Sequence, residues 1–581
     1  MAGTLLDETL HDLGKYGRYQ VVCALVIMTI GNWFPAWHLM GIIFTADSPL
    51  DYRCVTPSSP GSADGTNVSY INPGSLGTEL AYVLWSYGDG IWNASDLAQE
   101  CTVRGTDEPC MDWQYLTKYG ETTIVTDLDL VCDRSLLSET AQSIYLVGML
   151  VGSVLFGFLS DTFGRKRVLL LACLAHGVCG IIAALVWNYP GFVTLWFLVG
   201  MFSQGYNQVQ FVIVMEMFPP ECRTLMGSLN NMFWGLGVIT LTPIAYLLKD
   251  WRHMQLAISI PCLVAIPLWF VLDDSVRWLI AKGHLNEAVR ILNKMARWNK
   301  RAPPIGGFVL TQGDEQGAVL DTDKDDKTVG VVPQHAKPKE KESCTYLDVL
   351  KSRKLLLNTV IIYFCWFVSM MTYYGASLNS SHLAGNKYAN FFFLGLAEIP
   401  AFFIIHFTMT WWGRRPSMGL FLLSSGLASV TTAFLPEQTD EGADLTVAIV
   451  VMAILAKLCI TCAFSINLIF CSEIFPTPVR SIGFGIGAVV ANIGTVIAPF
   501  VLYLGDIASF LPLTIFGGLS VIAAVLVPIL PETRNKPLPE TIDDAKHLGR
   551  NVHPEKSHRR DKAEEMDGKN KMGLEVEEDA V

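Results

Sequence analysis

Long stretches that almost entirely lack charged side chains dominate this sequence. There are twelve of them: residues 19–46, 140–160, 168–187, 191–215, 224–248, 254–272, 355–386, 388–412, 416–436, 445–472, 481–505 and 507–530. About 20 apolar residues suffice to cross a bilayer as a helix. The first stretch has 28 residues, which is too long for the apolar core of a signal peptide. The pattern predicts an all-α membrane protein with twelve transmembrane helices.

The composition agrees with this class of protein. Hydrophobic residues make up 51% of the chain and charged residues 17%, whereas soluble domains carry about 25% charged residues. A soluble enzyme, a nucleic-acid-binding module and a secreted disulfide miniprotein are therefore excluded. A transmembrane β-barrel is excluded as well, because its strands are shorter and alternate in polarity. The net charge of −12 lies mostly in residues 47–139, which hold fifteen acidic and four basic residues, so it says little about partners.

The short loops between the stretches predict how the chain is oriented. Arg165, Lys166 and Arg167 lie between the second and third stretches, and Arg414 and Arg415 lie between the eighth and ninth. An excess of Lys and Arg in short loops marks the cytosolic side, and an even number of crossings puts both termini on one side. We therefore expect a multi-pass protein of the plasma membrane with both termini in the cytosol.

Segment 47–139 is then expected to lie on the external side. It contains four cysteines and two N-glycosylation sequons, which are Cys54, Cys101, Cys110, Cys132, Asn67 and Asn93. Disulfides and N-linked glycans belong to oxidising compartments, so these residues predict a disulfide-bonded, glycosylated loop. Four cysteines allow three connectivities, and the sequence does not choose among them.

The first six and the last six stretches share charged motifs. Glu216 is followed seven residues later by Arg223, and the same spacing recurs 257 residues further on. The candidate gating residues of these motifs are Asp161, Arg165, Glu216, Arg223, Glu473 and Arg480. An acid at a helix end can pair with an Arg of a neighbouring loop and cap a helix. Such pairs would hold one arrangement of the two halves and break in the other, although charges at helix ends can also simply reach water.

The repeat predicts a division of the chain into five parts. These are a cytosolic N-terminus (1–18), an N-terminal six-helix bundle (19–272) that includes loop 47–139, a cytosolic linker (273–354), a C-terminal six-helix bundle (355–530) and a cytosolic tail (531–581). Two six-helix halves related by an axis along the membrane normal are one architecture of secondary transporters. We therefore expect a solute site near mid-membrane between the halves.

Further motifs extend up to about residue 550. They are Thr123 to Asp133 at the end of the large loop, Gly157 to Lys166, Arg277-Trp278-Leu279, Ser472 to Pro476 with Arg480, and Leu530 to Thr533 followed by Leu538 to Ile542. Together they resemble the major facilitator superfamily and, within it, the organic cation, carnitine and organic anion transporter family of solute carriers. The resemblance implies the major facilitator fold, in which two pseudo-symmetric bundles transport a small organic solute by alternating access.

Only two residues inside the twelve stretches are formally charged, Glu398 and Lys457. A charge at the centre of a membrane helix costs roughly 2.5–3.5 kcal/mol on insertion scales, so such residues are expected to face a partner or a cavity. Counted along their stretches, the two lie at nearly the same depth, which predicts that they can pair. They could form a structural salt bridge, or Glu398 could face the cavity while Lys457 tunes it.

The resemblance also points to other side chains of a solute site. Cation carriers of the family tend to have an acid at the position of Asn492, and anion and carnitine carriers tend to have an Arg. A neutral residue there implies solutes of little net charge, or a cation held by Glu398 and aromatic rings, unless Asn492 only packs in a helix interface. Ring faces attract ammonium groups, and Tyr373-Tyr374 matches an aromatic site of the family. The candidate solute-binding residues are Glu398, Lys457, Asn492, Trp366, Tyr373, Tyr374, Asn207 and Phe464.

We therefore expect a secondary transporter of small organic cations or zwitterions, such as carnitine-, amine- or amino-acid-derived solutes. An organic anion porter or a sugar porter of the same superfamily is the alternative, as is a sensor that binds solute without moving it. The chain has no Walker A motif, so ATP hydrolysis is not expected to drive transport. It also has no zinc-ligand spacing and no nucleophile elbow. We expect a transporter without enzyme activity or cofactor, and sodium or proton coupling stays open. Expected partners are the solute and the bilayer, with no nucleic acid, and the transport unit is expected to be a monomer. The C-terminal tail could bind a scaffold protein.

Overall fold

The computed structural model describes most of the chain. The described residues are 2–54, 68–70, 83–85, 101, 110, 113–301, 308–312, 316–320, 330–332, 351–438, 443–476, 479–534, 536, 539 and 542–547. The two predicted glycosylation sites, Asn67 and Asn93, lie outside them, and so does the end of the tail for which a scaffold partner is predicted.

Each of the twelve predicted stretches falls on a helix. In the described part of the chain these helices are α1 Arg18–Thr45, α2 Leu136–Phe163, α3 Arg165–Leu185, α4 Tyr189–Met217, α5 Pro220–Leu247, α6 Trp251–Val271, α7 Arg353–Leu378, α8 Lys387–Trp411, α9 Arg414–Phe434, α10 Thr446–Ile474, α11 Arg480–Tyr503 and α12 Leu511–Leu526. Ten of these helical segments are long and apolar enough to cross a membrane. The other two, α4 and α5, are as long but carry several amide side chains.

Two of the helices are interrupted. In α6, a 3-10 segment Ile260–Val264 separates Trp251–Ser259 from Ala265–Val271. In α8, Lys387–Leu396 is followed by a new helix, Glu398–Trp411. Pro261 and Pro400 lie at these interruptions. Proline has no N–H to continue the helical bonding pattern and is accommodated in the first turn of the next segment.

The packing of the first six helices recurs in the last six. In the first bundle α1 packs against α4 and α5, α2 against α4, and α3 against α4 and α6. In the second bundle α7 packs against α10 and α11, α8 against α10, and α9 against α10 and α12. The bundles meet through α2 with α11 and through α5 with α8, which are again equivalent pairs. The predicted two-bundle, pseudo-symmetric fold is confirmed.

Glycines allow the closest of these helix contacts. A Cβ atom at Gly148 of α2 would lie 2.2 Å from the carbonyl oxygen of Phe197, and one at Gly152 would lie 2.1 Å from that of Met201. The two glycines are one turn apart and face α4. Small residues at this spacing let two membrane helices approach backbone to backbone.

Outside the bundles the chain forms short strands and helices. After α1, β1 Asp51–Cys54 pairs antiparallel with β4 Trp113–Leu116, and β2 Val68–Tyr70 pairs with β3 Val83–Trp85. After α6 come helices Val276–Ala281 and Leu285–Asn299 and the antiparallel strands β5 Phe308–Gln312, β6 Gln316–Leu320 and β7 Gly330–Val332. We call the end of the bundles beside residues 46–54 and 113–135 the loop side, and the end beside residues 2–18 and 542–547 the termini side.

The segments on the termini side build a small hydrophobic core of their own. Helix Ala2–Asp12 contributes Leu6 and Leu10, and helix Leu285–Asn299 contributes Ile291 and Leu292, all buried. The helical parts of the predicted linker 273–354 are therefore packed onto the N-terminal segment, because one apolar face of each short helix covers the other.

Disulfide bonding of the loop is confirmed for Cys101 and Cys132, whose Cα atoms are 5.8 Å apart. Cys110 is also disulfide-bonded, while the side chain of Cys54 lies outside the described residues.

Candidate functional site

The interruption of α8 positions the buried acid. Glu398 is the first residue of the second segment of α8, where the preceding helical bonding stops at Ala397. The first amides of a helix are free and carry a partial positive charge, which favours a carboxylate at this position. The side chain of Glu398 is only 2% exposed, so it points into protein rather than into lipid.

Glu398 and Lys457 form an ion pair. Their Oε1 and Nζ atoms are 3.3 Å apart, and the side chain of Lys457 is also 2% exposed. The pairing expected from their equal depth is therefore confirmed, although their role in binding solute stays a prediction. A buried ion pair is stable only when hydrogen bonds satisfy its remaining polar atoms.

Helix α7 supplies those hydrogen bonds. The hydroxyl of Tyr373 donates to Glu398 over 2.5 Å. The ammonium of Lys457 donates to Ser377 Oγ over 2.5 Å and to the Tyr373 carbonyl over 3.2 Å. It also lies 3.1 Å from the centroid of the Tyr373 ring, within the range of a cation–π interaction. Since Tyr373 and Ser377 are one helical turn apart, they present both groups on one face of α7.

The first bundle reaches this network through α5. Trp234 Nε1 donates to the Tyr373 hydroxyl over 3.2 Å, and Gly235 abuts Glu398, since a Cβ atom there would lie 3.5 Å from Glu398 Cβ. The charged pair of the second bundle therefore lies at the interface between the bundles. We call Glu398, Lys457, Tyr373, Ser377 and Trp234 the central network.

Ser377 did not follow from the sequence, and Trp234 did so only in part. Trp234 was a weaker candidate for the solute site, because a lone tryptophan of a membrane helix more often faces lipid or packs. Ser377 could have been found, because it lies four residues after Tyr373 and therefore on the same face of the helix.

The remaining predicted aromatics divide into two groups. The ring of Tyr374 lies 5.2 Å from that of Tyr373, and the ring of Phe464 lies 6.4 Å from it, so both border the central network. Trp366 does not. Its Nε1 donates to the Asn467 carbonyl over 3.4 Å and its ring packs edge-on against Phe484 at 5.1 Å. The structure thus places Trp366 in the packing of α7 with α10 and α11, about 10 Å along the helix from Tyr373.

The two predicted asparagines are also outside the network. Asn207 Nδ2 donates to the Gly31 carbonyl over 2.6 Å and so links α4 to α1. Asn492 is half-buried and its Nδ2 donates to the Ala488 carbonyl of its own helix over 3.0 Å. Both amides are partly engaged by backbone, which agrees with the packing alternative for Asn492.

The candidate gating residues form one cluster in each bundle on the termini side. In the first bundle Arg165 pairs with Asp161 and, over 3.3 Å, with Glu216. The backbone amides of Arg165 and Lys166 donate to Asp274 over 3.0 and 3.1 Å. The acid that follows α6 therefore caps the N-terminus of α3.

The second cluster repeats this arrangement. Arg414 pairs with Glu473 over 2.8 Å, and the amides of Arg414 and Arg415 donate to Glu532 over 3.1 and 3.0 Å. Thr533 adds a hydrogen bond of 2.6 Å to Glu473. The acid that follows α12 thus caps α9, as its counterpart caps α3.

The recurring arginines, Arg223 and Arg480, lie beside these clusters. Arg223 pairs with Asp7 over 3.5 Å, and its Nε donates to the carbonyls of Met215 and Phe218. Arg480 Nε donates to the carbonyl of Phe475, which is the counterpart of Phe218 in the second bundle. The recurring arginines thus fold back on the carbonyl end of the preceding helix, which carries a partial negative charge.

The pairs of Arg165 with Glu216 and of Arg414 with Glu473 each join helices of one bundle. They were expected to hold one arrangement of the two halves and to break in the other. In this structure they stabilise each bundle separately, and their role in gating stays a prediction.

Comparisons with known proteins agree with this fold. A profile of the Major Facilitator Superfamily matches residues 134–499. The chain is 32% identical over 570 residues to the organic cation transporter protein of Drosophila melanogaster, which covers 97% of this chain and 98% of that protein. It is 31% identical to solute carrier family 22 member 3 of Rattus norvegicus, over 94% of this chain and 96% of that one. It is also 31% identical to solute carrier family 22 member 7 of Homo sapiens, over 93% of this chain and 95% of that one.

Solved structures resemble the chain in fold. The inward-open conformation of the xylose transporter XylE from E. coli matches with a TM-score of 0.52 and 16% identity, over 73% of this chain and 93% of that one. At this identity the likeness concerns the arrangement of helices alone.

Proposed function

The chain belongs to the major facilitator superfamily and, within it, to the organic cation, carnitine and organic anion transporter family of solute carriers, and on this premise we propose that it carries small organic cations or zwitterions by alternating access. It is a membrane transporter and not an enzyme. The observation that carries the proposal is the central network, in which a buried carboxylate lies among aromatic rings where the two bundles meet.

The charges of the network favour zwitterions among these solutes. Glu398 and Lys457 neutralise each other in the present state. A simple cation that binds Glu398 would leave the buried Lys457 without its carboxylate, and an unpaired buried charge is costly. A zwitterion would separate the pair and supply a partner to each side chain, its ammonium to Glu398 and its carboxylate to Lys457. Solutes derived from amino acids or from carnitine have this form.

Bundle rocking would couple solute binding to access. Trp234 and Gly235 approach the network from the first bundle, so a solute between them and Glu398 would contact both bundles. A solute that engages both bundles can stabilise the occluded arrangement through which either side is reached. We further propose that the protein lies in the plasma membrane, with the loop side external and both termini in the cytosol. We also propose that the transport unit is a monomer, divided into the five parts that the sequence predicts.

An organic anion is the second candidate class of solute. The buried ammonium of Lys457 could hold a carboxylate, and the neutral Asn492 would not repel one. In this case Glu398 would serve only to neutralise Lys457 between transport cycles. The two candidates therefore differ in which of the paired side chains the solute requires.

Uptake by a Glu398→Gln variant separates these candidates. The variant keeps the size of the side chain and removes its charge, so uptake of amine-bearing solutes should fall by a factor of roughly 10 to 100, as expected when a buried charge-assisted hydrogen bond worth about 1.5–3 kcal/mol is lost. Uptake of labelled cations, zwitterions and anions would be measured in cells with equal surface expression, with and without sodium. Glu437→Gln, at an exposed loop acid, is the matched control. Unchanged amine uptake in Glu398→Gln would contradict the proposal, and increased anion uptake would favour the second candidate.

A further inference from the structure

A second buried lysine lies at the loop side, far from the central network. Lys387 is the first residue of α8, and its ammonium lies 2.6 Å from Asp47 Oδ2 and 2.6 Å from Glu121 Oε1. The three side chains are 7%, 12% and 9% exposed. We call Asp47, Glu121 and Lys387 the loop-side cluster. It joins the end of α1 and the segment before α2 to the second bundle.

Aromatic rings of the first bundle complete this contact. Tyr388 stacks on Phe44 at 5.5 Å and meets the rings of Tyr119 and Tyr246 edge-on, both at 5.4 Å. The Lys387 ammonium lies 5.6 Å from the Tyr119 ring centroid. A lysine and a tyrosine of one bundle are thus inserted into a socket of carboxylates and rings that belongs to the other bundle.

The socket has the chemistry of an ammonium site. Two carboxylates and a ring face are the groups that bind alkylammonium ions, and here the ligand is the chain's own lysine. Without Lys387, Asp47 and Glu121 would be two carboxylates with no cation between them. When the bundles separate on this side, the carboxylates stay with the first bundle and Lys387 leaves with the second.

A cavity borders the cluster at Asp47, while Glu121 and Lys387 are not among the described residues that line it. Its volume is about 80 Å³, and Asp47, Glu139, Gln142 and His382 are among its lining residues. No Lys or Arg is among the described residues that line it. Gln142 is 8% exposed, and its Oε1 accepts no hydrogen bond from any residue that the structure describes. An unsatisfied acceptor of this kind is expected to bind a donor when one is present.

We propose that Asp47 and Glu121 form a second cation site, which Lys387 fills while the loop side is closed and which a primary organic ammonium ion from outside fills once Lys387 has withdrawn. The inference rests on the alternating access of the proposed function and not on the identity of the transported solute. An external amine and Lys387 then compete for one pair of carboxylates, so the amine favours the state that is open on the loop side.

Labelling of a deeper cysteine tests whether Lys387 holds this side closed. Val238 of α5 is 3% exposed and packs against Gly395 of α8, which is about 12 Å along the helix from Lys387. In a Val238→Cys background, Lys387→Gln should raise the rate of labelling by an impermeant maleimide added outside by roughly tenfold or more, since it breaks a buried ion pair. The chain without the new cysteine gives the background.

A matched lysine serves as the control. Lys249 is exposed, and its Nζ donates to the Tyr119 carbonyl within the first bundle. Lys249→Gln should leave labelling of Cys at position 238 unchanged. Unchanged labelling in Lys387→Gln itself would overturn the inference.

A double variant that exchanges the two charges tests the same pairing without relying on the expression of Lys387→Gln alone. Lys387→Glu combined with Asp47→Lys puts the ammonium on the first bundle and a carboxylate on the second. Labelling in the double variant should return to the level of the parent. A double variant that labels as fast as Lys387→Gln would show that these side chains do not hold the closure by pairing.

Direct titration tests the cation site. The probe is n-butylammonium, which has the shape of a lysine side chain, and butyrate is the anion of similar size. By isothermal titration of the purified full chain, Lys387→Gln should bind one more equivalent of n-butylammonium than the parent, and Lys387→Gln with Glu121→Gln should lack it. Faster labelling without the extra bound equivalent would show that Lys387 only holds the loop side closed. This result would overturn the proposed cation site. If the labelling and titration results appear but no cation or zwitterion is transported, the proposed function fails and this inference stands.

Discussion

The interiors of the two bundles satisfy their buried polar groups in different ways. The first bundle uses amides. Asn32 Nδ2 and Gln210 Nε2 both donate to Asn230 Oδ1, over 2.9 and 3.0 Å, and Asn207 donates to the backbone of Gly31. This neutral cluster joins α1, α4 and α5. In the second bundle, the ion pair of Glu398 and Lys457 joins α8 and α10, with α7 bonded to both.

The difference supports the proposal that the second bundle responds to solute. Amides that bond each other and the backbone have no charge to offer a ligand, and their bonds can persist through the cycle. An ion pair in a medium of low dielectric opens only when other charges replace the partners. A charged solute can supply them. The comparison therefore agrees with a packing role for the polar groups of the first bundle and supports the proposed solute binding by those of the second.

The largest effect is expected from removing one partner of the ion pair. Lys457→Met leaves Glu398 buried without a counter-ion, so the free energy of unfolding should fall by about 3–5 kcal/mol. Thermal unfolding of the purified protein and its surface expression would measure the loss.

The double variant Lys457→Met with Glu398→Gln is the matched control for this change. It removes both charges and should recover most of the stability without recovering uptake. A single variant as stable as the parent, or a double variant that still transports amines, would contradict the role given to the pair.

A smaller effect is expected in the first bundle. Asn230→Ala removes the acceptor of Gln210 Nε2 and one of the two acceptors of Asn32 Nδ2, which costs about 1–3 kcal/mol of stability. The ratio of cation to anion uptake should nevertheless stay unchanged, because no charge is altered. Asn231→Ala, at the half-buried neighbour, controls for the substitution, and a changed uptake ratio in Asn230→Ala would contradict the division between the bundles.

The smallest effect is expected at Asn492. By the repeat offset of 257 residues this position corresponds to Gly235, which abuts Glu398 from the other bundle. Asn492→Asp should shift the cation-to-anion uptake ratio about fivefold toward cations, which corresponds to roughly 1 kcal/mol. This is the size of the interaction between two charges that lie some distance apart in a medium of intermediate dielectric. Competition uptake with one labelled cation and one labelled anion would measure it, and a flat profile would leave Asn492 a packing residue.

The sequence predicted much of the fold because the bilayer imposes a simple rule. Every stretch that crosses it must be apolar and must satisfy its backbone internally, so twelve uncharged stretches become twelve helices. The position of the interruption in α8 was not predicted. Pro35, Pro243 and Pro499 lie inside continuous helices, whereas Pro400 accompanies a break, and local sequence does not separate these cases.

The sequence predicted only those contacts of the site that follow from how deep each residue lies in the membrane. Glu398 and Lys457 were recognised because charges are rare in such helices, and they were paired because counting residues gives their depth. That the pairs of Arg165 and Arg414 each lie within one bundle was not predicted. Which acid an Arg meets depends on how helices rotate about their axes, and residue spacing within one motif does not contain that information.

By itself the sequence determined that this chain crosses the membrane twelve times in two related sets and buries one opposed pair of charges, since the cost of exposing polar groups to lipid acts on each helix separately. The tertiary structure alone decided that Trp234 and Gly235 meet that pair, that each cluster of termini-side charges stays within one bundle, and that Lys387 fills a socket between Asp47 and Glu121. These contacts join residues far apart in the chain, and their energies depend on the rotation and approach of whole helices.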